Sequence, residues 1–542
     1  MTLRLRYLAC TALTAAALVM PALAEETVTM KRSELEAIMN RLDRLEKQVS
    51  KGGAPAGGGT AELEQRVQDL EISQGAKINA LQQKADAVQL NFENARPVIT
   101  TGDGRFEMAF RGRFHFDAGT YSQSPGVDVP YSVDGQNVRD LGSGSYFRRA
   151  QFGVEGKFFR DFDYEMRFNF GGSEAEEAGT INIMRIAYNP TPNLRINVGA
   201  IQPTFTLDDS TSSNDITFLE RAAVVNALIG EFGGSDSRKG IELTYLQTGE
   251  DIDYMFNVAY TTSTIGARNA NADDRDHLLG RFAARVFKNA DWDVHVGANA
   301  ATILGMGGVD GTSAPTAAAR NLNFRDRPEL RINADRLVAT GNIPAESAWM
   351  WGLEAGVRYQ SLYLSGEYFQ WGVDRDRLCT GCNATAPDPE FSGYYVMASY
   401  LLTGETKRYE TNGRSNSRMQ FAAPRPASPF SSGGTWGAWE IAARYSVLDL
   451  NDNVNPTGLA VLGAPIANLG EIRGGKQAIS TVALNWYLNR NMRVMFQYQH
   501  IDIDRISSTA LTGATNPGTP SAAYPNIGQE IDTFAVRTQF AF

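Results

Sequence analysis

The sequence predicts an all-β transmembrane barrel of about 16 antiparallel strands, preceded by an amino-terminal α-helical coiled-coil segment. Three observations lead there. Apolar residues recur every second position over residues 97–542, but every third or fourth position before that. Gly (52) and aromatics (7 Trp, 20 Tyr, 27 Phe) are abundant, while mean hydropathy is −0.29. That is too polar for a bundle of membrane helices, but it suits strands that show one face to lipid and one to water. Tight turns also alternate with long polar connections. The charge balance, 51 basic against 61 acidic residues for a net of −10, argues against a nucleic-acid partner.

Residues 1–24 read as a cleaved export signal. Arg4 and Arg6 precede the apolar run Leu8–Met20, and Ala22-Leu23-Ala24 supplies a small-x-small cleavage site. Cys10 falls within this signal. Residues 25–96 follow a different pattern. Leu35, Ile38, Leu42, Leu45 and Val49 form one heptad seam, and Leu63, Val67, Leu70, Ile78, Leu81 and Val88 form a second. The Gly-rich break 51–60 separates them. An isolated helix cannot bury such a seam, so the segment is expected to self-associate or to fold back on itself.

In residues 97–542 the alternation is explicit. Phe106, Met108, Phe110, Gly112, Phe114 and Phe116 interleave with Glu107, Ala109, Arg111, Arg113, His115 and Asp117. The same rhythm recurs at 162–170, 194–200, 253–260 and 534–542. Successive strand residues point to opposite faces, so one face is apolar and the other charged. Tight connections occur at 159–161, 189–193, 248–251, 288–291 and 489–491. Long ones lie near 120–144, 202–237, 305–345, 450–474 and 504–527. Short turns on one rim and long loops on the other characterise outer-membrane barrels. The connection 404–434 departs from this: parity puts it on the short-turn rim, yet it is long.

Cys379 and Cys382 are the two cysteines left after the signal. In an exported chain they are expected to form a small-loop disulfide. A redox or metal CxxC is the alternative, without a second CxxC or a nearby His to support it.

The motifs Tyr146-Phe147-Arg148-Arg149-Ala150-Gln151-Phe152-Gly153-Val154-Glu155-Gly156 and Ser212-Ser213-Asn214-Asp215-Ile216-Thr217-Phe218-Leu219-Glu220-Arg221-Ala222 are similar to those of the phosphate-selective porin O/P family. So are Phe391-Ser392-Gly393-Tyr394-Tyr395, Gly437-Ala438-Trp439-Glu440 and Asn485-Trp486-Tyr487-Leu488-Asn489. The resemblance extends in order over roughly residues 105–542. It implies a sixteen-stranded, trimeric channel in the outer membrane of a Gram-negative cell, with small anions as permeants. It also implies a periplasmic amino-terminal segment and a terminal Phe542 read as an assembly signal. Envelope tethering through residues 25–96 is a further expectation.

Alternation and resemblance together nominate Arg111, Arg113, Arg148, Arg149, Arg167, Arg185, Arg195, Arg281 and Arg285 as pore-lining. Arginine is costly on a barrel's lipid face, by ~2–4 kcal/mol at mid-bilayer, so the lumen is the economical place for it. Guanidinium groups bind oxyanions bidentately and stay charged. The same face carries Glu107, Asp117, Glu155, Asp163, Glu165, Glu242, Asp253, Asp293, Glu367 and Glu440. These acids could instead pair with the arginines and brace the wall, leaving a general small-solute pore. By resemblance loop 202–237 folds inward, with Asp215, Glu220 and Arg221 near the channel; Phe218, Leu219, Ala222, Val224, Val225 and Leu228 are too apolar for a solvated external loop and could anchor it to the inner wall, the alternative being a surface loop that packs at a trimer interface. The four histidines, His115, His277, His295 and His500, form no triad or metal pattern. No enzyme, metal or cofactor is therefore expected.

Overall fold

The computed structural model describes residues 88–93, 95–123, 132–133, 136–137, 141–172, 180–234, 237–265, 272–309, 320–377, 385–412, 417–454, 470–506 and 528–542, with 65–66, 68–70, 72–77 and 79. The export signal, the first heptad seam, the Gly-rich break, Cys379 and Cys382 lie outside the described residues. The chain divides into two compact units, Met1–Gln83 and Lys84–Phe542. In the first unit, described residues between 65 and 79 are helical and Leu70 is exposed.

The second unit is a closed antiparallel barrel of sixteen strands. They are β1 (Glu107–Gln123), β2 (Gly144–Phe158), β3 (Phe162–Asn169), β4 (Thr180–Thr191), β5 (Leu194–Ile201), β6 (Arg238–Thr248), β7 (Asp253–Thr264) and β8 (Asp276–Lys288). Then come β9 (Trp292–Gly305), β10 (Ile343–Tyr359), β11 (Leu362–Arg375), β12 (Glu390–Leu401), β13 (Ala438–Asp452), β14 (Ile472–Tyr487), β15 (Met492–Asp504) and β16 (Gln529–Ala541). Each pairs with the next, and β16 closes on β1 from Ile531↔Gln123 to Ala541↔Arg113. Closure removes every sheet edge, as spanning a bilayer requires. The outer face keeps Phe114, Phe116, Phe152, Phe256, Val258, Leu353, Tyr368, Val396 and Phe534 exposed, while their sequence neighbours are buried inside. Such a continuous apolar exterior belongs against lipid.

The seam of the barrel has two refinements. Phe542 continues β16 by exchanging backbone hydrogen bonds with Gly112 at 3.0 and 3.1 Å. Its ring occupies the space a Cβ at Gly112 would need, 2.3 Å away. Below it, a hairpin of Val88–Glu93 and Arg96–Thr101 pairs along the start of β1 and extends the wall. Val88 therefore lies on a strand rather than at the end of the second seam, and the wall begins before residue 97. Val88, Leu90 and Phe92 are exposed on this hairpin, continuing the apolar exterior.

Three connections fold into the lumen. Loop 202–237 carries α1 (Leu207–Ser210) and α2 (Ala223–Phe232). The β9–β10 loop brings Leu322, Phe324 and Leu330, all fully buried. The third is the long connection 402–437, whose strands Arg408–Asn412 and Ser417–Ala422 form a hairpin. It does sit on the short-turn rim, and its length is explained by insertion: Phe421 packs on Tyr363 at 4.6 Å and Tyr409 on His295 at 5.8 Å. Phe205, Val224, Val225, Leu228, Phe232, Phe324, Trp371 and Phe391 join in one apolar cluster inside the barrel. The inserts thus occupy part of the lumen, the hairpin packing Met419 on Leu246, Met255 and Ala283 of β6–β8.

Candidate functional site: the arginine-lined lumen

Alternation puts one of two adjacent residues outside, yet Arg148 and Arg149 both reach the lumen. A β-bulge is the cause. His115 pairs with Arg149 while Phe116 pairs with Phe147, so Arg148 is the extra residue. A bulge of this kind re-aims one side chain without breaking the sheet. Phe147 remains 55% exposed on the lipid side, and Arg148 is only 6% exposed inside.

Most of the nominated arginines are tied to carboxylates. Arg111 reaches Glu155 at 2.7 Å and Glu165 at 3.0 Å. Arg185 also takes Glu165 at 3.0 Å, with Arg167 at 3.7 Å. Arg195 pairs with Asp163 at 3.3 Å, and Arg281 with Glu354 at 2.7 Å. Arg285 lies between Asp253, at 3.2 Å, and Asp293. Arg148 binds Glu220 at 2.7 Å. The bracing alternative thus describes these seven side chains. Arg113 differs in donating to Ser213 at 2.6 Å and Ser212 at 3.3 Å. Arg149 differs most, because it makes no hydrogen bond or ion pair with a described residue.

The loop residues divide by role. Glu220 is buried and accepts from Arg148, and from Arg537 at 2.9 Å. Arg221 donates to the carbonyls of Asp208, Asp209 and Thr211 at 2.7–3.1 Å. It braces its own loop and also lines a cavity toward the long-loop rim. Asp215 accepts the Ala423 amide at 3.1 Å and lines a cavity at the short-turn end. The apolar anchors are in place: Leu219 packs with Leu330, Met495 and Ala535, and Phe218 with Ala442 and Ala483.

Other contacts locate the loop and leave no clear sequence signal. Glu367, on β11, accepts the Leu207 and Asp208 amides at 2.8 and 2.9 Å. Glu329, from the β9–β10 loop, is fully buried. It accepts from Arg444 at 2.5 Å, Ser446 at 2.6 Å, Gln499 at 2.9 Å and the Ala223 amide at 3.2 Å. Each bond joins residues more than 100 positions apart, which period and spacing do not encode.

A chamber of about 560 Å³ lies open toward the long-loop rim. Arg113, Arg148, Arg149, Arg167, Arg221 and Arg331 line it, against the carboxylates Asp209 and Glu220. Residues 212–215 form its floor. They are pinned to β1 and β16 through Arg113, through His115 on Asn214 at 3.2 Å, and through Gln539 on the Asn214 carbonyl at 3.1 Å. An open chamber lined by six guanidinium groups above residues 212–215 is suited to holding small anions. Among the described residues no cluster of His, Cys, Asp and Glu could hold a metal ion.

Residues 110–519 match the family model for phosphate-selective porin O and P. A protein of Caulobacter vibrioides without an assigned function is 28% identical over 417 residues, 75% of this chain and 70% of that one. Porin O of Pseudomonas aeruginosa is 25% identical over 425 residues, 76% of this chain and 86% of its own. Among solved structures, an anion-selective porin from Comamonas acidovorans aligns with TM-score 0.40 at 11% identity, over 81% of this chain and all of that one. The trimeric form of OmpT from Vibrio cholerae aligns with TM-score 0.39 at 10% identity, over 81% of this chain and 99% of that one. The match spans more than half of the sequence in one run across the barrel, and the chain belongs to the phosphate-selective porin O and P family of outer-membrane channels.

Proposed function

We propose that this porin is an anion-preferring channel for small oxyanions, with Arg149 as its principal contact. The reading is carried by the contrast within the lumen. Seven of the nine nominated arginines have a carboxylate partner, whereas Arg149 faces the outer chamber with no hydrogen bond or ion pair to a described residue. A guanidinium outside any ion pair presents its donors to a passing oxyanion at no cost in broken ion pairs. Its neighbour Arg148 is held by Glu220, so the bulge supplies one structural and one available arginine. Loop 202–237 sets the narrowest point in this reading. The assembly is a homotrimer, and residues 25–87 contact the cell wall as a tether. Porins of this architecture act as passive channels rather than enzymes.

Reconstituted single channels test the proposal. Reversal potential across a KCl gradient is expected to lie on the chloride side, and inorganic phosphate is expected to block the chloride current. Arg149→Ala should abolish most of that block. A reversal potential at the cation side rejects anion preference. The extensive pairing of the other arginines supports a second reading, a general small-solute pore, and a reversal potential near zero would establish it. Removing residues 25–87 separates the tether from the pore: conductance should persist while attachment to the cell wall is lost.

A further inference from the structure

The outer chamber is not lined by charge alone. Beside its six guanidinium groups and two carboxylates stand five carboxamides and seven hydroxyls. Four of the carboxamides follow successive strands: Gln151 on β2, Asn169 on β3, Asn182 on β4 and Gln202 just after β5. Strand pairing brings them together. Gln151 sits opposite Asn169 in the ladder. On β4 a second bulge intervenes, because Arg167 pairs with Ile183 and Phe168 with Ile181, leaving Asn182 as the extra residue. It is thereby turned toward the lumen, where its Oδ1 accepts from Gln151 at 3.5 Å. Gln202 accepts from Arg167 and donates to the Ser237 hydroxyl, both at 3.4 Å.

This row adjoins Arg149. Gln151 lies two residues further along β2, on the same face and about 6.7 Å away by the rise of a strand. It is 2% exposed, and its Oε1 meets no donor among the described residues. An acceptor left unmade in the interior is costly. Among the described residues this amide makes one hydrogen bond, the long one to Asn182, so a small rotation offers the oxygen to a solute hydroxyl. Arg149 by itself would take any small oxyanion. The carboxamide row adds a demand for a neutral body that both donates and accepts, as hydroxyl groups do. Volume agrees. About 560 Å³ lies in the range that holds a drug-sized molecule, and an inorganic oxyanion leaves most of it to water. Asp209 and Glu220, in the same lining, repel a second anionic group, so the ligand carries one.

We propose that the outer chamber binds a sugar phosphate, with its phosphate on Arg149 and its hydroxyls on the Gln151–Asn182 pair. The inference rests on the anion-channel reading and names a class of solute for the same lumen.

Block of the single-channel chloride current tests it. Glucose 6-phosphate, inorganic phosphate and glucose are added in turn to the outer side at about pH 8, where a phosphate ester carries close to two negative charges. In the parent channel glucose 6-phosphate should block at a roughly tenfold lower concentration than inorganic phosphate, and glucose should not block at that concentration. Gln151→Ala/Asn182→Ala should raise the half-blocking concentration of glucose 6-phosphate by roughly fivefold, and that of inorganic phosphate by less than about twofold. Arg149→Ala should raise both. Either single alanine variant serves if the pair does not fold. Block by glucose 6-phosphate no stronger than by inorganic phosphate overturns the inference and leaves the Arg149 reading intact. So does glucose 6-phosphate block that the alanine variants leave unchanged. Glucose blocking as well as its phosphate overturns it too. Absence of block by both phosphates overturns this inference and the anion-channel reading together.

Discussion

Glu220→Gln removes one of the two carboxylates that line the outer chamber while keeping the side chain's size. The carboxylate accepts from Arg148 at 2.7 and 3.2 Å and from Arg537 at 2.9 Å, and lies 3.6 Å from Arg331. An anion about 5 Å from that carboxylate meets a repulsion of about 0.8 kcal/mol at the dielectric of water, and about 3 kcal/mol at an effective dielectric of 20. The lower figure alone corresponds to about a fourfold rise in anion permeability when the charge is removed. Breaking a buried ion pair outright costs about 3–5 kcal/mol. Here the amide keeps a carbonyl acceptor, and Arg537 keeps Asp117 at 2.6 and 2.7 Å. The barrel is therefore expected to fold. Burial works against the charge on Glu220, but Arg148, Arg537 and Arg331 hold its carboxyl well below the usual carboxylate range. It stays ionised from about pH 8 to about pH 5, so the variant's effect should be the same across that window. The assay is the reversal potential of single channels in a KCl gradient, with conductance as the control. An unchanged potential, or a shift toward the cation limit at normal conductance, would refute the argument that solutes in the chamber feel this charge.

Four other outcomes follow from the same geometry. Burial pushes the Asp326 carboxyl up to about 6, against the pull of Arg331 and Arg327. Because its folded value is raised, it weakens the packed β9–β10 loop as pH rises from its unfolded value through about 6; Asp326→Asn should stabilise the barrel at about pH 8, by at most about 3 kcal/mol, and not at about pH 4. Equal gains in thermal midpoint at both pH values would contradict this. Glu329→Ala strands Arg444 in the interior and should cost about 3–5 kcal/mol, read as a lower midpoint for loss of the folded form in denaturant; a change under about 1 kcal/mol would count against the clamp. Gly437 has φ of +71°, and a Cβ there would lie 2.2 Å from the Tyr487 carbonyl. Gly437→Ala should cost more than about 1 kcal/mol by the same measurement, and a neutral result would show that the rim relaxes freely. Replacing residues 408–422 with a short Gly-Ser turn should raise single-channel conductance, since the hairpin occupies lumen volume; unchanged conductance would place the resistance elsewhere.

The lumen arginines show where sequence reasoning ends. Alternation assigned Arg111, Arg113, Arg167 and Arg185 to the inner face, because side-chain direction in a strand depends only on the position along it. It did not assign both Arg148 and Arg149 there, since a bulge depends on how two strands pair. Nor did it separate braced from available arginines. Glu354, which pairs with Arg281, lies 73 positions away.

By itself, then, the amino-acid sequence settled the barrel, the approximate strand number, the lipid-facing side chains and the family, each written in local period or in short motifs. Tertiary structure alone decided which lumen arginines pair with a carboxylate, how three connections enter the lumen, and that two chambers flank residues 212–215. The physical reason is range. Pleat alternation acts between neighbours, whereas neutralising a charge depends on whichever carboxylate the closed barrel brings within about 4 Å.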